Sequence, residues 1–406
     1  MKIVHLTSGP TTSGAFKGTL TLHKKLLSKN IASYLISDDK KNSENKNIKF
    51  AKNNFFQEIK YIMINILNKL PKILYLQRKA NAFDNSLFGY NFTKYELIKN
   101  ADILHLHWIN KSYSNLKFLK NFKKPIVWTL RDMWAFTGGC HYTYECKKFK
   151  KSCGECPTLN SNVKKDLSFL NQNKKKSQYE NAKINFVAIS EWLKNEAIKS
   201  KLLKNKKINV IYNGIEDKKF YPAKKQNKFS KNKKIILFGS QYINSEYKGF
   251  KYFLNSLKYL DLNKYYLITF GNIFNISEIQ KSGIEFKNFG FIKDEKKLRK
   301  IYSLADVYIA SSVQEAFGKT IVESLFCGTP VVCFKKTAIS EIVQHKKNGF
   351  CAKYLDSKSL AKGIEWTTSK KKFFFKKNCV ELTKKKFSSD VMTNNYIKFY
   401  KKIYKK

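Results

Sequence analysis

The fold of this chain is decided by residues 311–332, which read SSVQEAFGKTIVESLFCGTPVV. An apolar strand leads into a loop that carries Glu315, and Gly318 then permits close approach of the backbone where a helix begins. The free amide groups at a helix N-terminus bind anions. Glu323 lies eight residues after Glu315 and therefore about two turns further along the same side of the helix.

This stretch predicts a site for a nucleotide-diphosphate sugar. The diphosphate would lie over the helix N-terminus, one carboxylate would bind sugar hydroxyls, and the other would bind ribose hydroxyls. The spacing alone leaves an alternative, in which two exposed helix glutamates precede an ordinary C-terminal turn at residues 328–330.

Predicted strands and helices alternate along the chain on both sides of this stretch. The chain has 406 residues, and a single core seldom grows beyond about 300. Residues 217–232 are polar and rich in lysine, and they separate two series of apolar strands. We therefore predict the α/β class, with two doubly wound parallel-sheet domains whose strand ends face a cleft. The predicted strands are 2–6, 33–36, 103–106, 126–130, 185–189 and 209–212 before the linker, and 234–239, 266–271, 307–310 and 331–334 after it.

The charge is extreme but selects no partner by itself. The 79 basic and 30 acidic residues give a net charge of +49, and only three of the bases are arginine. Proteins that read nucleic acids rely on arginine for bidentate contacts, so a nucleic-acid partner is not predicted. The excess lysine indicates a genome-wide composition bias, attraction to an anionic membrane or substrate, or both. No uncharged run reaches the roughly 20 residues of a membrane span, and we expect a cytoplasmic protein.

The motif of residues 315–332 resembles the E-x7-E signature of family 4 retaining glycosyltransferases, which have the GT-B fold of two Rossmann-like domains. Further segments resemble the same family, namely Asn213-Gly214-Ile215, Phe220-Tyr221-Pro222, Phe238-Gly239, Lys248-Gly249 and Ala305-Asp306-Val307. The resemblance implies an acceptor-side domain over residues 1–216, a linker over 217–232 and a nucleotide-sugar-binding domain over 233–387. It also implies a C-terminal helix over 388–406 that returns to the first domain.

The resemblance implies roles for individual residues. Glu315 would fix the donor sugar, Glu323 would hold the ribose, and Lys248 with Lys319 would stabilise the departing diphosphate. The implied donor-binding residues are Gly14, Phe317, Gly318, Lys319, Thr320 and Glu323, and no cofactor is required for catalysis. Many relatives carry an arginine several residues before the lysine, whereas residues 241–245 contain no cation here.

A second stretch, residues 129–142, reads TLRDMWAFTGGCHY. Together with the HLHW sequence at residues 105–108, it resembles a branch of the same family found in colanic-acid and capsular polysaccharide gene clusters. Arg131 stands where the wider family usually has a histidine that contacts the donor sugar. The resemblance therefore implies that Arg131 and Asp132 belong to the catalytic site, and the alternatives are a structural salt bridge or a weakened enzyme.

Four cysteines lie in the loop of residues 138–157, at Cys140, Cys146, Cys153 and Cys156. The C-x2-C half of their spacing suits a structural zinc ion, with four thiolates or with His141 in place of one. Reduced free thiols and disulfides are the alternatives, and disulfides are unusual in the cytosol.

These observations predict a retaining glycosyltransferase that moves a sugar from a nucleotide-diphosphate sugar to a glycan or lipid-linked acceptor in surface polysaccharide biosynthesis. The protein would be cytoplasmic and peripheral at the inner face of the membrane. Two alternatives stay open, a catalytically silent sugar-nucleotide-binding protein and a basic nucleic-acid-binding α/β protein.

Overall fold

The computed structural model of the protein describes residues 1–38, 47–50, 55–79, 83–85, 87–110, 113–224, 229 and 232–405. It divides into two compact units, the first comprising Met1–Ile211 with Met392–Lys406 and the second comprising Tyr212–Val391. The predicted linker includes residues 225–228 and 230–231, and the predicted C-terminal helix includes residue 406. These residues lie outside the described part of the chain.

The first unit is built on a parallel sheet of seven strands. Their short runs of valine, isoleucine and leucine are buried on both faces, as expected where helices cover a parallel sheet. The strand order is β3-β2-β1-β4-β5-β6-β7, which begins with the Rossmann order. The strands are β1 (Lys2–Thr7), β2 (Ala32–Ser37), β3 (Ile48–Phe50), β4 (Ile103–Leu106), β5 (Ile126–Leu130), β6 (Ile184–Ala188) and β7 (Ile208–Val210).

Three helices of the first unit begin at polar residues that cap them. Ser13 accepts a hydrogen bond from the amide of Phe16, and Asp166 and Ser190 cap later helices in the same way. The helices are α1 (Gly14–Leu27), α2 (Phe55–Ile73), α3 (Glu96–Lys99), α4 (Leu167–Tyr179) and α5 (Glu191–Ile198), with short 3-10 helices at Phe92–Lys94, Leu116–Lys120, Trp134–Phe136 and Lys148–Lys150.

The second unit contains a parallel sheet of six strands in the order β10-β9-β8-β11-β12-β13, which is also a Rossmann order. Its strands are β8 (Lys234–Tyr242), β9 (Tyr265–Asn272), β10 (Phe286–Asn288), β11 (Val307–Ala310), β12 (Val331–Phe334) and β13 (Gly349–Ala352). Its helices are α6 (Phe250–Leu257), α7 (Ser277–Gln280), α8 (Glu295–Leu304), α9 (Lys319–Phe326), α10 (Ser357–Ser369) and α11 (Lys372–Phe387), with 3-10 helices at Glu246–Lys248, Leu262–Lys264 and Ala338–Glu341. The predicted α/β fold with two Rossmann-like parallel sheets is confirmed.

The last helix, α12 (Ser389–Tyr404), completes the core of the first unit. Its buried side chains at positions 392, 396, 400 and 403 follow a helical repeat. They pack against a cluster formed by Ile3, Leu22, Leu26, Ile103, Val127, Val187 and Ile211. The hydroxyl of Tyr400 also lies 2.6 Å from Nδ1 of His105 inside this core.

Among the described helices, none has both the length and the apolar character needed to cross a bilayer.

We expect Tyr400→Phe to lower the free energy of unfolding by about 1–3 kcal/mol, because a buried imidazole nitrogen loses its partner. Tyr404→Phe is the matched control, since Tyr404 is 50% exposed on the same helix. Its effect should stay within about 0.5 kcal/mol. Urea unfolding of the two variants measures the difference, and equal losses would contradict this account of α12.

Candidate functional site

The predicted lysine and the first predicted glutamate lie together in the second unit. Lys248 follows β8 and Glu315 follows β11, and these two strands are hydrogen-bonded neighbours in the sheet. Parallel neighbours end at the same edge, so the loops that follow them meet there. Nζ of Lys248 lies 2.6 Å from Oε2 of Glu315. The structure therefore joins two residues that are 67 positions apart in the sequence.

A close backbone contact fixes this pair. Gly249 has φ +64°, and a Cβ atom at that position would lie 2.0 Å from the carbonyl oxygen of Ser311. The hydroxyl of Ser311 donates to the carbonyl of Gly249 at 2.9 Å, and the amide of Val313 donates to the carbonyl of Tyr247 at 2.8 Å. Only glycine fits this contact, and it holds the two loops in one arrangement.

The ion pair keeps the Lys248 side chain in its charged form. Burial disfavours the charged amine, but the neighbouring Glu315 carboxylate outweighs it and raises the pKa of Lys248 above its ordinary value. Their side chains are 17% and 13% exposed, so solvent still reaches them. A partly buried, fixed ammonium group is suited to binding a phosphate oxygen.

The second predicted glutamate lies on α9. Gly318 precedes this helix with φ +98°, and no side chain caps the helix start. Glu323 is only 4% exposed, and each of its carboxylate oxygens has a partner. Oε1 lies 3.2 Å from Nζ of Lys319, and Oε2 accepts a hydrogen bond of 3.0 Å from the hydroxyl of Tyr302. The carboxylate is thus held in one orientation on the first two turns of the helix.

Tyr308 lies among the predicted site residues, although the sequence did not single it out. Its hydroxyl donates to the carbonyl of Gly239 at 2.6 Å and also hydrogen-bonds Thr320. Burial raises its pKa, so the hydroxyl stays neutral. Tyr302 was missed in the same way. With 23 tyrosines in the chain, no pattern distinguished these two from core residues.

Phe317 has a packing role in the second unit. It is 3% exposed, and its ring lies edge-on to that of Phe387 at 5.8 Å between centroids. This contact anchors the loop immediately before Gly318.

In the first unit, Arg131 is buried beneath α1. Its Nη2 lies 3.1 Å from Nδ1 of His107 and 3.4 Å from the hydroxyl of Thr19, and Nη1 lies close to Gly18. Burial lowers the pKa of Arg131, and nearby tyrosines partly offset this effect. Arg131 is 8% exposed, and the hydrogen-bond partners of its guanidinium named above belong to the first unit.

Three buried histidines extend this polar cluster. Because guanidinium only donates, His107 accepts at Nδ1 and donates from Nε2 to Nδ1 of His5, 3.0 Å away. His105 contacts Tyr400 and the hydroxyl of Thr129, at 2.6 and 2.7 Å. Burial is the main cause that lowers the pKa of all three histidines, and Arg131 lowers it further. They are therefore neutral hydrogen-bonding groups.

Asp132 is held by three donors. Its Oδ2 accepts from Nε1 of Trp108 and faces Nδ1 of His141, both at 2.7 Å, while Oδ1 accepts from the amide of Trp134 at 2.8 Å. The other nitrogen of His141 lies 2.9 Å from Oδ2 of Asp84. Burial alone would lower the pKa of His141, but the two carboxylates raise it to about 9. His141 is therefore a charged link between two acids.

Gly14 is the first residue of α1, and a Cβ atom added there would meet no other atom within 4 Å. Packing within the unit therefore gives no reason for glycine at this position, and the space where a Cβ atom would lie is open.

The four cysteines of the loop are free thiols in the structure. Cys140 and Cys156 are buried, and Sγ of Cys140 donates to the hydroxyl of Thr158 at 3.5 Å. The interaction between the two thiols lowers the pKa of Cys156 and raises that of Cys140. Burial raises the pKa of Cys146 and Cys153. Within the part of the chain that the structure describes, the group close enough to share an ion is His5, His105 and His107, whose ligand atoms lie within 4.8 Å of one another. The cysteines form no such group there, and structural zinc stays a prediction.

Comparison with known proteins agrees with the fold described above. The two Rossmann-like sheets place the chain in the GT-B class of glycosyltransferase folds. A solved structure of HepE from Anabaena, in complex with UDP and glucose, is similar over 98% of this chain and 99% of its own, with a TM-score of 0.65. At 16% identity this similarity shows the fold.

Residues 221–386, which lie in the second unit, match the model of the glycosyl transferases group 1 family. An uncharacterized 41.2 kDa protein in the cps region of Klebsiella pneumoniae is 27% identical over 212 residues, which are 50% of this chain and 58% of that protein. A protein of Escherichia coli K12 that carries the name of a colanic acid biosynthesis glycosyl transferase, WcaC, is 30% identical over 176 residues, 40% of each chain. The chain thus matches about half the length of these relatives.

We expect His141→Gln to destabilise the protein in a pH-dependent way. The pKa of His141 rises from an unfolded value near 6.5 to about 9 on folding. Its stabilising effect is therefore complete below about pH 6.5 and is lost as the pH rises through about 9. Thermal unfolding should show a loss in Tm at about pH 6 that largely disappears at about pH 10, corresponding to roughly 3 kcal/mol at most.

The control for this experiment is His345→Gln. Burial lowers the pKa of His345, which lies in the second unit, so its removal cannot give a loss confined to low pH. If His141→Gln lowered Tm equally at both pH values, the assignment of a charged His141 between Asp132 and Asp84 would be wrong.

Proposed function

We propose that this protein is a family 4 retaining glycosyltransferase, of the type that transfers hexoses. It would move a sugar from a nucleotide-diphosphate sugar to a glycan or lipid-linked acceptor in surface polysaccharide biosynthesis. The observation that carries the proposal is the Lys248–Glu315 ion pair of 2.6 Å beside the uncapped start of α9, within a group 1 domain. The UDP and glucose in HepE and the names of the relatives support the donor class and the pathway.

Donor binding would rearrange two existing ion pairs. Lys248 and Lys319 are each held by a glutamate, at 2.6 and 3.2 Å. A diphosphate brings two negative charges to the start of α9, where the amide groups and helix dipole already favour an anion. Lys248 can then turn to a phosphate oxygen, and Glu315 becomes available to accept hydrogen bonds from sugar hydroxyls.

The chemical step would need little from protein acids or bases. The bond between the anomeric carbon and the phosphate oxygen breaks, and the acceptor oxygen bonds to the same face of the sugar. The departing diphosphate takes the proton of the acceptor hydroxyl. Lys248, Lys319 and the α9 amides stabilise the charge that develops on the diphosphate. Retention of configuration rests on the family resemblance.

Three residues of the first unit would take part in the reaction, and Gly14 would contact the donor. Gly14 leaves open space at the start of α1, and Asp132 is oriented by Trp108 and His141. We assign Arg131 a positioning role, because its guanidinium supports α1 and the histidine cluster. An acceptor at an anionic membrane is consistent with the net charge of +49.

We expect Lys248→Met to reduce transfer by about 100-fold or more, since one cation that stabilises the leaving group is lost. Glu315→Gln should reduce transfer similarly while the protein still binds the nucleoside diphosphate. Thermal shifts with UDP-, GDP-, ADP- and CMP-sugars identify the donor, because ligands raise the stability of the folded state they bind. An assay of sugar transfer from the identified donor then compares the rates of the variants with that of the wild type.

Two exposed residues of α10 in the same unit supply matched controls, Lys362→Met and Glu365→Gln. Both should transfer sugar at the wild-type rate. Donor binding without turnover by the wild type would establish the silent sugar-nucleotide-binding protein instead. A CMP-sugar as the sole ligand would contradict the diphosphate site, since it carries a single phosphate.

We also propose that Cys140, Cys146, Cys153 and Cys156 hold a structural zinc ion after their side chains reorient. The C-x2-C spacing of Cys153 and Cys156 supports this, as does the interaction between the Cys140 and Cys156 thiols. Metal analysis of protein purified without chelators should find about one zinc per chain, and Cys153→Ser should lose it. Wild-type protein without zinc and with four titratable thiols in this loop would contradict the proposal.

A further inference from the structure

The second helix of the first unit has a continuous apolar face that is exposed to solvent. This surface is called the α2 face here. Its apolar residues recur at the spacing of one side of a helix and cover an arc of roughly 140°. Its side chains, together with two leucines just beyond the helix, are 40–85% exposed. They are Phe55, Phe56, Ile59, Ile62, Met63, Ile66, Leu67, Leu70 and Ile73, followed by Leu74 and Leu76.

The polar side of the same helix points toward the protein. Asn68 is buried, donates to the carbonyl of Phe88 at 2.8 Å and accepts from the amide of Phe88 at 3.1 Å. The hydroxyl of Tyr61 donates to Asp38 at 3.2 Å, and Nζ of Lys72 donates to the carbonyl of Phe83 at 2.9 Å. These contacts fix the rotation of α2 about its axis.

This orientation is the reverse of the usual one. A surface helix of a globular protein turns its apolar side to the core and its polar side to water. Here, hydrogen bonds hold the polar side inward, so the apolar side faces outward. An exposed apolar patch of this extent indicates a binding surface.

The charges around the α2 face indicate what binds there. Lys60 and Lys69 are exposed and lie on opposite borders of the apolar arc. Lysines in such positions extend toward lipid head groups while their stems lie along apolar chains. A second copy of this chain would bring another net charge of +49 to the contact, which disfavours self-association. An anionic membrane neutralises this charge.

The dimensions agree with a helix that lies on a membrane. Nineteen residues extend over about 28 Å, and the helix contains Lys60, Lys69, Pro71 and Lys72, so it is unsuited to the bilayer interior. We infer that α2 lies in the plane of an anionic lipid bilayer, with the α2 face inserted below the head groups and the lysines among them.

This inference deepens the proposed function by naming the surface that would bring the enzyme to a lipid-linked acceptor. It rests on that function only for the nature of the acceptor. Binding to vesicles is measured without donor or acceptor, so a failure of one proposal can be distinguished from a failure of the other.

The test is co-sedimentation of the full-length protein with two kinds of vesicle, phosphatidylcholine alone and phosphatidylcholine with phosphatidylglycerol. The wild type should bind the anionic vesicles and bind pure phosphatidylcholine weakly. In the triple variant Ile62→Gln, Ile66→Gln, Leu70→Gln, affinity should fall at least about 100-fold, because each large apolar side chain contributes roughly tenfold to partitioning. All three positions are exposed, so folding should be preserved.

The matched control replaces three exposed apolar residues elsewhere, Val163→Gln, Phe274→Gln and Phe373→Gln, with no change in charge. It should bind as the wild type does. Equal binding by the triple variant and the wild type would show that charge alone drives binding and would overturn the inference. The inference would also be overturned if the wild type bound both kinds of vesicle equally. It would likewise be overturned if sedimentation equilibrium showed that the wild type is a dimer and the triple variant a monomer. The donor-induced thermal shift of the triple variant, which should equal that of the wild type, reports separately on the donor site.

Discussion

The site in the second unit depends on one close contact, where Gly249 passes the carbonyl of Ser311 without room for a Cβ atom. This contact sets the distance between the loops after β8 and β11, and so it determines that Lys248 reaches Glu315. The charged pair, the uncapped start of α9 and the Lys319–Glu323 pair then lie along one edge of a rigid parallel sheet. Preorganised charge of this kind is what the departure of a diphosphate requires.

The first unit shows a different use of polar residues. Arg131, the neutral histidines at positions 5, 105 and 107, and the tyrosines of α12 form a buried hydrogen-bonded cluster. Such a cluster specifies one packing arrangement, because each broken bond leaves a buried polar group unsatisfied. Arg131, which the family resemblance associates with the donor sugar, is hydrogen-bonded within this cluster. Asp132 and its charged partner His141 lie at and beyond the end of β5.

Much of the fold could be predicted, since buried parallel strands are short apolar runs bounded by turns. Strands β3, β10 and β13 were not predicted, because lysine, asparagine or glycine stands among their few apolar residues, whereas the equally short β4, β11 and β12 are rich in aliphatic residues. The glutamates at positions 315 and 323 stand out by spacing, whereas Tyr302 and Tyr308 resemble core residues until the sheet brings them to the site. The segment from Tyr61 to Leu76 is visibly apolar, but the side that faces the protein is set by long-range hydrogen bonds such as those of Asn68. No local pattern encodes that choice.

The proposed function requires that Lys248 bind the diphosphate of the donor. Calorimetric titration with a nucleoside diphosphate and the matching nucleoside monophosphate measures this contact. The wild type should prefer the diphosphate by at least about tenfold, corresponding to roughly 1.4 kcal/mol, and Lys248→Met should lose most of that preference. An undiminished preference in the folded variant would contradict the assignment and require another group to hold the phosphate.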